Sequence, residues 1–256
     1  MSFHPLLPRL LTALCLLQTV AIASVTVTLR PDSTTPANGD AFVTTGPTNN
    51  LTGNNYGAAG ALAVTAALTR GTFDSVIRMD LATAKSQFDT AFGAGLWSID
   101  SIVLELTSAN ASPNNTTFNS PNTAGQFEVR WFGNDAWTEG TGNPTNPSTS
   151  GVRWSDITGL VTGEQSLGTF SYVTTGTQQF SLSQAAGLVG DVNAGTQASL
   201  HLLAADGVIS ALFNSRTNGV AASRPALIIT ASAVPEPARA SLALVGMLVL
   251  HFRRRR

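Results

Sequence analysis

Asp135 and Glu139 are the residues of this sequence whose types could do chemistry together. A glycosidase needs two facing carboxyl groups, one to give a proton and one to attack or to activate water. The two acids stand four apart in Asp-Ala-Trp-Thr-Glu-Gly, a segment to which no regular geometry can be assigned, so the structural reading is preferred to the catalytic one. His201 is the one histidine of the body and sits in the strand-like run Ser199-Leu200-His201-Leu202-Leu203. Without a second histidine or a cysteine it does not make a zinc site, and it reads as a hydrogen-bonded strand residue. Oxygen ligands suit calcium, and Asp40, Asp135 and Glu139 are the candidates, against a reading as solvated turn residues. Tyr56 and Trp154 adjoin polar loops and could stack on a sugar ring, whereas Trp131, in an alternating strand, reads as core. The sequence contains no Gly-x-Ser-x-Gly elbow, no His-Glu-x-x-His and no phosphate loop.

Composition narrows the field further. Only 11% of residues are charged, and Lys85 is the single lysine, which argues against a helical bundle or coiled coil. Net charge is −1 over 256 residues, and five of the 14 basic residues fall in the last 18 positions, which argues against a nucleic-acid partner. Between Ser24 and Ala233 there are 14 acidic and 8 basic residues, a balance of 8 − 14 = −6, so binding of acidic polymers by charge alone is disfavoured too. The only cysteine, Cys15, lies in the leader, which leaves the body without a disulfide.

The elements that must position these residues are short strands. Val25-Thr26-Val27-Thr28-Leu29 alternates with period two. Similar runs at 62–65, 76–79, 99–106, 126–132, 167–173, 200–203 and 226–230 are separated by Gly, Asn, Pro and Thr clusters. They predict an all-β sandwich or barrel, with two short connector helices over 81–92 and 183–192. The stretches 44–60, 110–125 and 140–151 are rich in Asn, Thr, Gly and Pro; they read as long surface loops, too polar to be core. No repeat and no break in composition divides the body, so 24–233 is expected to be one domain.

Both ends differ from the body. Arg9 followed by an apolar stretch over 10–22 has the form of a signal peptide. Ala21 and Ala23 are the small residues a signal peptidase reads, which sets the leader as 1–23, with cleavage after Ala23. At the other end, over 234–256, Val234-Pro235-Glu236-Pro237 stops regular structure, 240–252 is apolar, and Arg253, Arg254, Arg255 and Arg256 form a cationic stop. Thirteen helical residues would span about 20 Å, short of the roughly 30 Å hydrocarbon core.

Two resemblances follow. The C-terminal order of Pro-Glu-Pro, short apolar span and terminal arginines resembles the PEP-CTERM sorting signal. That resemblance implies recognition by an exosortase, transient anchoring by a C-terminal hydrophobic transmembrane helix, and release to the cell envelope or extracellular matrix. The body, with Asn54-Asn55-Tyr56-Gly57, Val76-Ile77-Arg78-Met79, the signature Trp137-Thr138-Glu139-Gly140, Phe213-Asn214-Ser215-Arg216 and Arg224-Pro225-Ala226-Leu227, is similar to the DNRLRE-type domain. This similarity implies a jelly-roll sandwich related to carbohydrate-binding modules. The expectation is an exported, non-enzymatic protein whose partners are the secretion translocon, signal peptidase, an exosortase and extracellular polysaccharide. The alternative is a polysaccharide-degrading enzyme that uses Asp135 and Glu139.

Overall fold

Period-two alternation sets β1 (Ser24–Leu29), where Val27 and Leu29 turn inward and Thr26 and Thr28 outward. A computed structural model describes residues 23–66, 69–109, 125–172 and 175–234. Further strands are β2 (Gly39–Thr44), β3 (Ala61–Thr65), β4 (Phe73–Asp80), β5 (Trp97–Thr107), β6 (Gly125–Phe132), β7 (Gln165–Tyr172), β8 (Thr177–Leu182), β9 (Gln197–Ala204), β10 (Ser210–Asn214) and β11 (Ala226–Ala233). Helices are α1 (Ala82–Phe92), α2 (Trp154–Leu160) and α3 (Ala186–Ala194).

The strands form two antiparallel sheets. One has the order β1-β11-β5-β8; the other runs β10-β3-β4-β9-β6-β7, with β2 also paired to β4. The chain crosses between the sheets after β1, β4, β5, β7, β8 and β10, a jelly-roll-like sandwich. Inward residues of both sheets make the main core, among them Val27, Ile77, Leu104, Phe127, Leu200 and Ile229. Phe127 meets Phe180 of the facing sheet edge-on, with ring centroids 5.0 Å apart. Phe88 of α1 and Leu188 and Val192 of α3 add to the same core. Gly195 ends α3 in the left-handed region (φ 66°), and its N–H bonds the Asp191 and Val192 carbonyls.

The two outer faces differ. Residues 133–164, including α2, lie as a strap over the seven-stranded sheet, and a second apolar cluster joins Val76 and Phe132 of the sheet to Trp137, Val152, Ile157 and Leu160 of the strap. Among the described residues the outer face of the four-stranded sheet carries no such layer: Thr26, Thr28, Ser101, Gln179 and Ser181 are exposed on it.

Several expectations are corrected. The class predicted from the sequence had two connector helices and a C-terminal hydrophobic helix. The body holds a third helix, α2, because Ile157 and Leu160, three apart, share one face that buries against the sheet. Among the described residues no helix is long and apolar enough to cross a membrane; α1, at 11 residues, is the longest. The predicted span over 240–252, with Pro235, Glu236, Pro237 and Arg253 to Arg256, lies outside the described residues, as does Ala21. Transient membrane anchoring is therefore withdrawn as a reading: a 13-residue apolar run is physically too short to cross unaided, and no described helix supplies the missing length. Val234, the one sorting-motif residue described, follows β11 and donates its N–H to the Leu96 carbonyl (3.0 Å).

Candidate functional site

Alternation places a row of polar side chains on the strap-covered face of the larger sheet. β4 contributes Asp74 and Arg78, β9 Ser199 and His201, and β6 Glu128 and Arg130. Lone charges there would be expensive, since burial strips their hydration. Each has a partner, and among the described residues no buried side-chain polar atom lacks one.

Two arginines organise the first cluster. Arg78 donates Nε to the Ala37 carbonyl (2.9 Å) and its Nη groups to the carbonyls of Asp135 (2.7 Å), Trp137 and Pro36. Its guanidinium also stacks on the Trp137 ring, 4.8 Å from the centroid. Arg216, at the end of β10, binds Glu139 through Nε (3.0 and 3.1 Å) and Nη2, and gives Nη1 to the Asp32 carbonyl. The Arg216 backbone N–H goes to Asp40 Oδ2 at 2.6 Å. Asp40 is 1% exposed, and burial pushes its carboxyl up to about 7. Asp135 Oδ1 accepts from the Ser199 hydroxyl (2.6 Å), which in turn accepts from Trp137 Nε1 (3.0 Å). Burial raises the Asp135 carboxyl as well.

His201 centres the second cluster and is 4% exposed. Its Nδ1 lies 2.6 Å from Glu164 Oε1 and its Nε2 3.3 Å from Asp74 Oδ2. Burial alone would lower its pKa; the bonds to Asp74 and Glu164 outweigh that and lift it to about 9. The ring is an imidazolium at neutral pH. Arg130 extends the chain, from Nη1 to Glu164 Oε2 (3.0 Å) and from Nη2 to Glu128 Oε2 (2.6 Å).

Asn55 ties the strap to the loop ahead of β3. It is 0% exposed; Nδ2 donates to the Glu139 (2.6 Å) and Val152 (2.8 Å) carbonyls, and Oδ1 accepts from Gly57 (3.1 Å) and Gly142 (3.0 Å) N–H. Gly140 has φ 82°, and a Cβ there would lie 2.2 Å from the Ser150 carbonyl oxygen, so only glycine fits.

The sequence candidates fall as follows. The proposed catalytic pair, Asp135 and Glu139, is in this region, but Glu139 is bound by a guanidinium and Asp135 by a hydroxyl. The calcium candidates Asp40, Asp135 and Glu139 do not fit that ion, because Arg78 and Arg216 already supply the positive charge that faces them. Among the described residues no group of three or more His, Cys, Asp or Glu could hold a metal. Tyr56 is 5% exposed and stacks on Phe42 (4.7 Å, 11°), so its ring face is already covered. Trp154 opens α2 and packs half-buried against the second apolar cluster. In the signature segment Trp137 is buried under Arg78 while Thr138 is exposed, and the Thr138 carbonyl accepts from Val152 N–H (2.8 Å).

Sequence reasoning missed Arg78, Arg216, Asn55, Asp74 and Glu164. One signal was present: with so few basic residues in the body, an arginine inside Val76-Ile77-Arg78-Met79 must have buried acceptors, and those lie on distant segments.

The outer face of the smaller sheet is lined by hydroxyls and the Gln179 amide, with half-buried Val103 and Ile228 at its centre. Thr26 and Thr230 are bonded hydroxyl to hydroxyl at 2.9 Å, as are Thr107 and Thr177. Its acids are engaged: Glu105 holds Arg30 and Gln179, and Asp100 accepts from Ser232 (2.8 Å).

No family model matches the chain, and no curated protein matches it. The expected membership of the PEP-CTERM and DNRLRE families is therefore withdrawn, and with it the exosortase and transmembrane-helix readings; the motif order alone was too short and too generic to carry them. Among solved structures, the chain matches one from the naturally occurring empty top component of cowpea mosaic virus. The identity is 8% and the TM-score 0.22, covering 85% of this chain and 84% of that one. A chain of an empty virus-like particle of the same virus matches at 8% and 0.23, over 88% and 85%. TM-scores this low carry no inference about fold or function.

Proposed function

We propose that this protein is an exported, non-enzymatic β-sandwich that binds neutral polysaccharide on the open face of its four-stranded sheet. One observation carries the reading: that face presents hydroxyls and the Gln179 amide around half-buried Val103 and Ile228, with Glu105 paired to Arg30, a mixture of polar and apolar contacts that suits an uncharged, polyhydroxylated chain. The engagement of Asp135 and Glu139 supports a non-enzymatic role, since neither is free to transfer a proton to a glycosidic oxygen. Export rests on the leader pattern. Ala23 is exposed immediately ahead of β1, so cleavage there by signal peptidase, after passage through the translocon, leaves the first strand whole.

The test is native electrophoresis of the 24–256 chain through gels containing a neutral glucan or a neutral mannan, with alginate as the anionic control. Retardation is expected with a neutral polymer, with its chain length unchanged, and is lost in Thr230→Lys, which buries a charge against the ligand. Shortened glycan, or equal mobility in every gel, overturns the proposal. A secreted product whose mass places the N-terminus elsewhere than Ser24 overturns the export reading alone.

A further inference from the structure

We propose that Asp40 and Glu139, which share Arg216, form a proton-operated latch: with Asp40 protonated they fasten the 133–164 strap to the seven-stranded sheet, and loss of that proton loosens the strap. The pair joins two layers, because Asp40 belongs to β2 and Glu139 to the strap. Both are held by Arg216, one through its backbone N–H (2.6 Å) and the other through its guanidinium.

Charge counting explains why a proton is needed. Arg216, behind β10, and Glu139, on the strap, face Asp40 directly; Arg78 on β4 and Asp32 ahead of β2 face that pair in turn, and Asp135 faces Arg78. Asp32 Oδ1 is occupied by the Thr34 and Thr35 N–H groups of its own exposed turn. The remaining set has two guanidiniums against Glu139 and Asp135, which is neutral only when Asp40 carries a proton. Ionised Asp40 adds an unmatched buried charge beside Glu139, and opening the strap relieves it by admitting water. The freed strap would uncover Trp137, Val152, Ile157 and Leu160, which otherwise close on Val76 and Phe132.

The sign follows from linkage. The closed form holds the Asp40 proton up to about pH 7, whereas an exposed aspartate releases it near 3.8. Opening therefore becomes easier by up to about tenfold per pH unit between those values and levels off above the upper one. The experiment is amide hydrogen exchange over residues 133–152 at pH 4.5 to 8, with Asp40→Asn measured at each pH so that intrinsic exchange rates cancel. Wild-type protection relative to the variant should fall more than tenfold across the range, then plateau. A second reading is independent of how tightly the variant packs: wild-type unfolding at pH 6 should release about one proton more than Asp40→Asn. His201→Gln separates the other buried cluster, whose loss should leave this window in place. A constant wild-type to variant ratio, or equal proton release, overturns the latch.

Discussion

His201 Nδ1 meets Glu164 Oε1 at 2.6 Å, which joins the central strand β9 to the last residue of the strap before β7. The imidazolium is held between that carboxylate and Asp74, so its proton is tied to the closed arrangement of both layers.

The pH dependence has a definite direction. The folded-state pKa is raised from 6.5 to about 9, so this contribution is fully present below 6.5 and is lost as pH climbs through 9. The loss is at most about 1.4 kcal/mol per pH unit within that window. Urea denaturation at pH 6, 7.5 and 9 should show the midpoint falling in wild type. His201→Gln should be less stable by about 3–5 kcal/mol at pH 6, because Asp74 and Glu164 lose the cation between them; its midpoint should be nearly flat from pH 7.5 to 9, leaving below that only the fall due to Asp40.

Asn55→Ala is expected to be among the most damaging polar truncations. The side chain serves two carbonyls and two N–H groups at once, and a buried polar group left unpaired costs about 1–3 kcal/mol. With water reaching some of them, a total of about 3 kcal/mol is expected in denaturant titration. The same variant should be cut faster by trypsin at Arg153, which lies on the strap next to Val152. Unchanged cleavage would mean that Asn55 does not hold the strap.

Legibility in the sequence followed the local pattern. β1, β5 and β11 show apolar alternation because one face meets the core and the other is open. β2 was missed because all six of its residues are buried, which erases the period-two signal. α2 was missed because seven residues give too few turns for a helical period, and its carboxylate near the N-terminus, Asp156, pairs with Arg153 (2.9 Å) inside a stretch otherwise rich in turn residues. Asn55 lies within 44–60, which reads as loop from composition; its burial is set by the glycines of a segment some 85 positions later that let the backbones close in. Partners separated that far leave no local trace, so Arg78, Arg216 and His201 could be suspected from the sequence but not paired.

Calcium should leave the fold unaffected. Where carboxylates await a divalent ion, removing it exposes their mutual repulsion and lowers the melting temperature. Here Arg216 and Arg78 already face Asp40, Asp135 and Glu139. Scanning calorimetry with excess chelator and with millimolar Ca²⁺ should give the same transition within error. A rise of several degrees with the ion would show that a site forms elsewhere in the chain.

Glu139→Gln separates the structural role of this carboxylate from a catalytic one. The amide keeps the shape and can still accept one bond from Arg216, but it gives up the charge of a largely buried ion pair. Charge-assisted bonds of this kind contribute about 1.5–3 kcal/mol, and a loss of that size is expected in denaturant titration. Removing the neighbouring negative charge also removes one of the influences that raise Asp40, so the pH at which the strap loosens should move down. Glycan retardation should be unchanged, because the open face lies on the other sheet. A variant of wild-type stability that had lost an activity on polysaccharide would instead place Glu139 in a reaction.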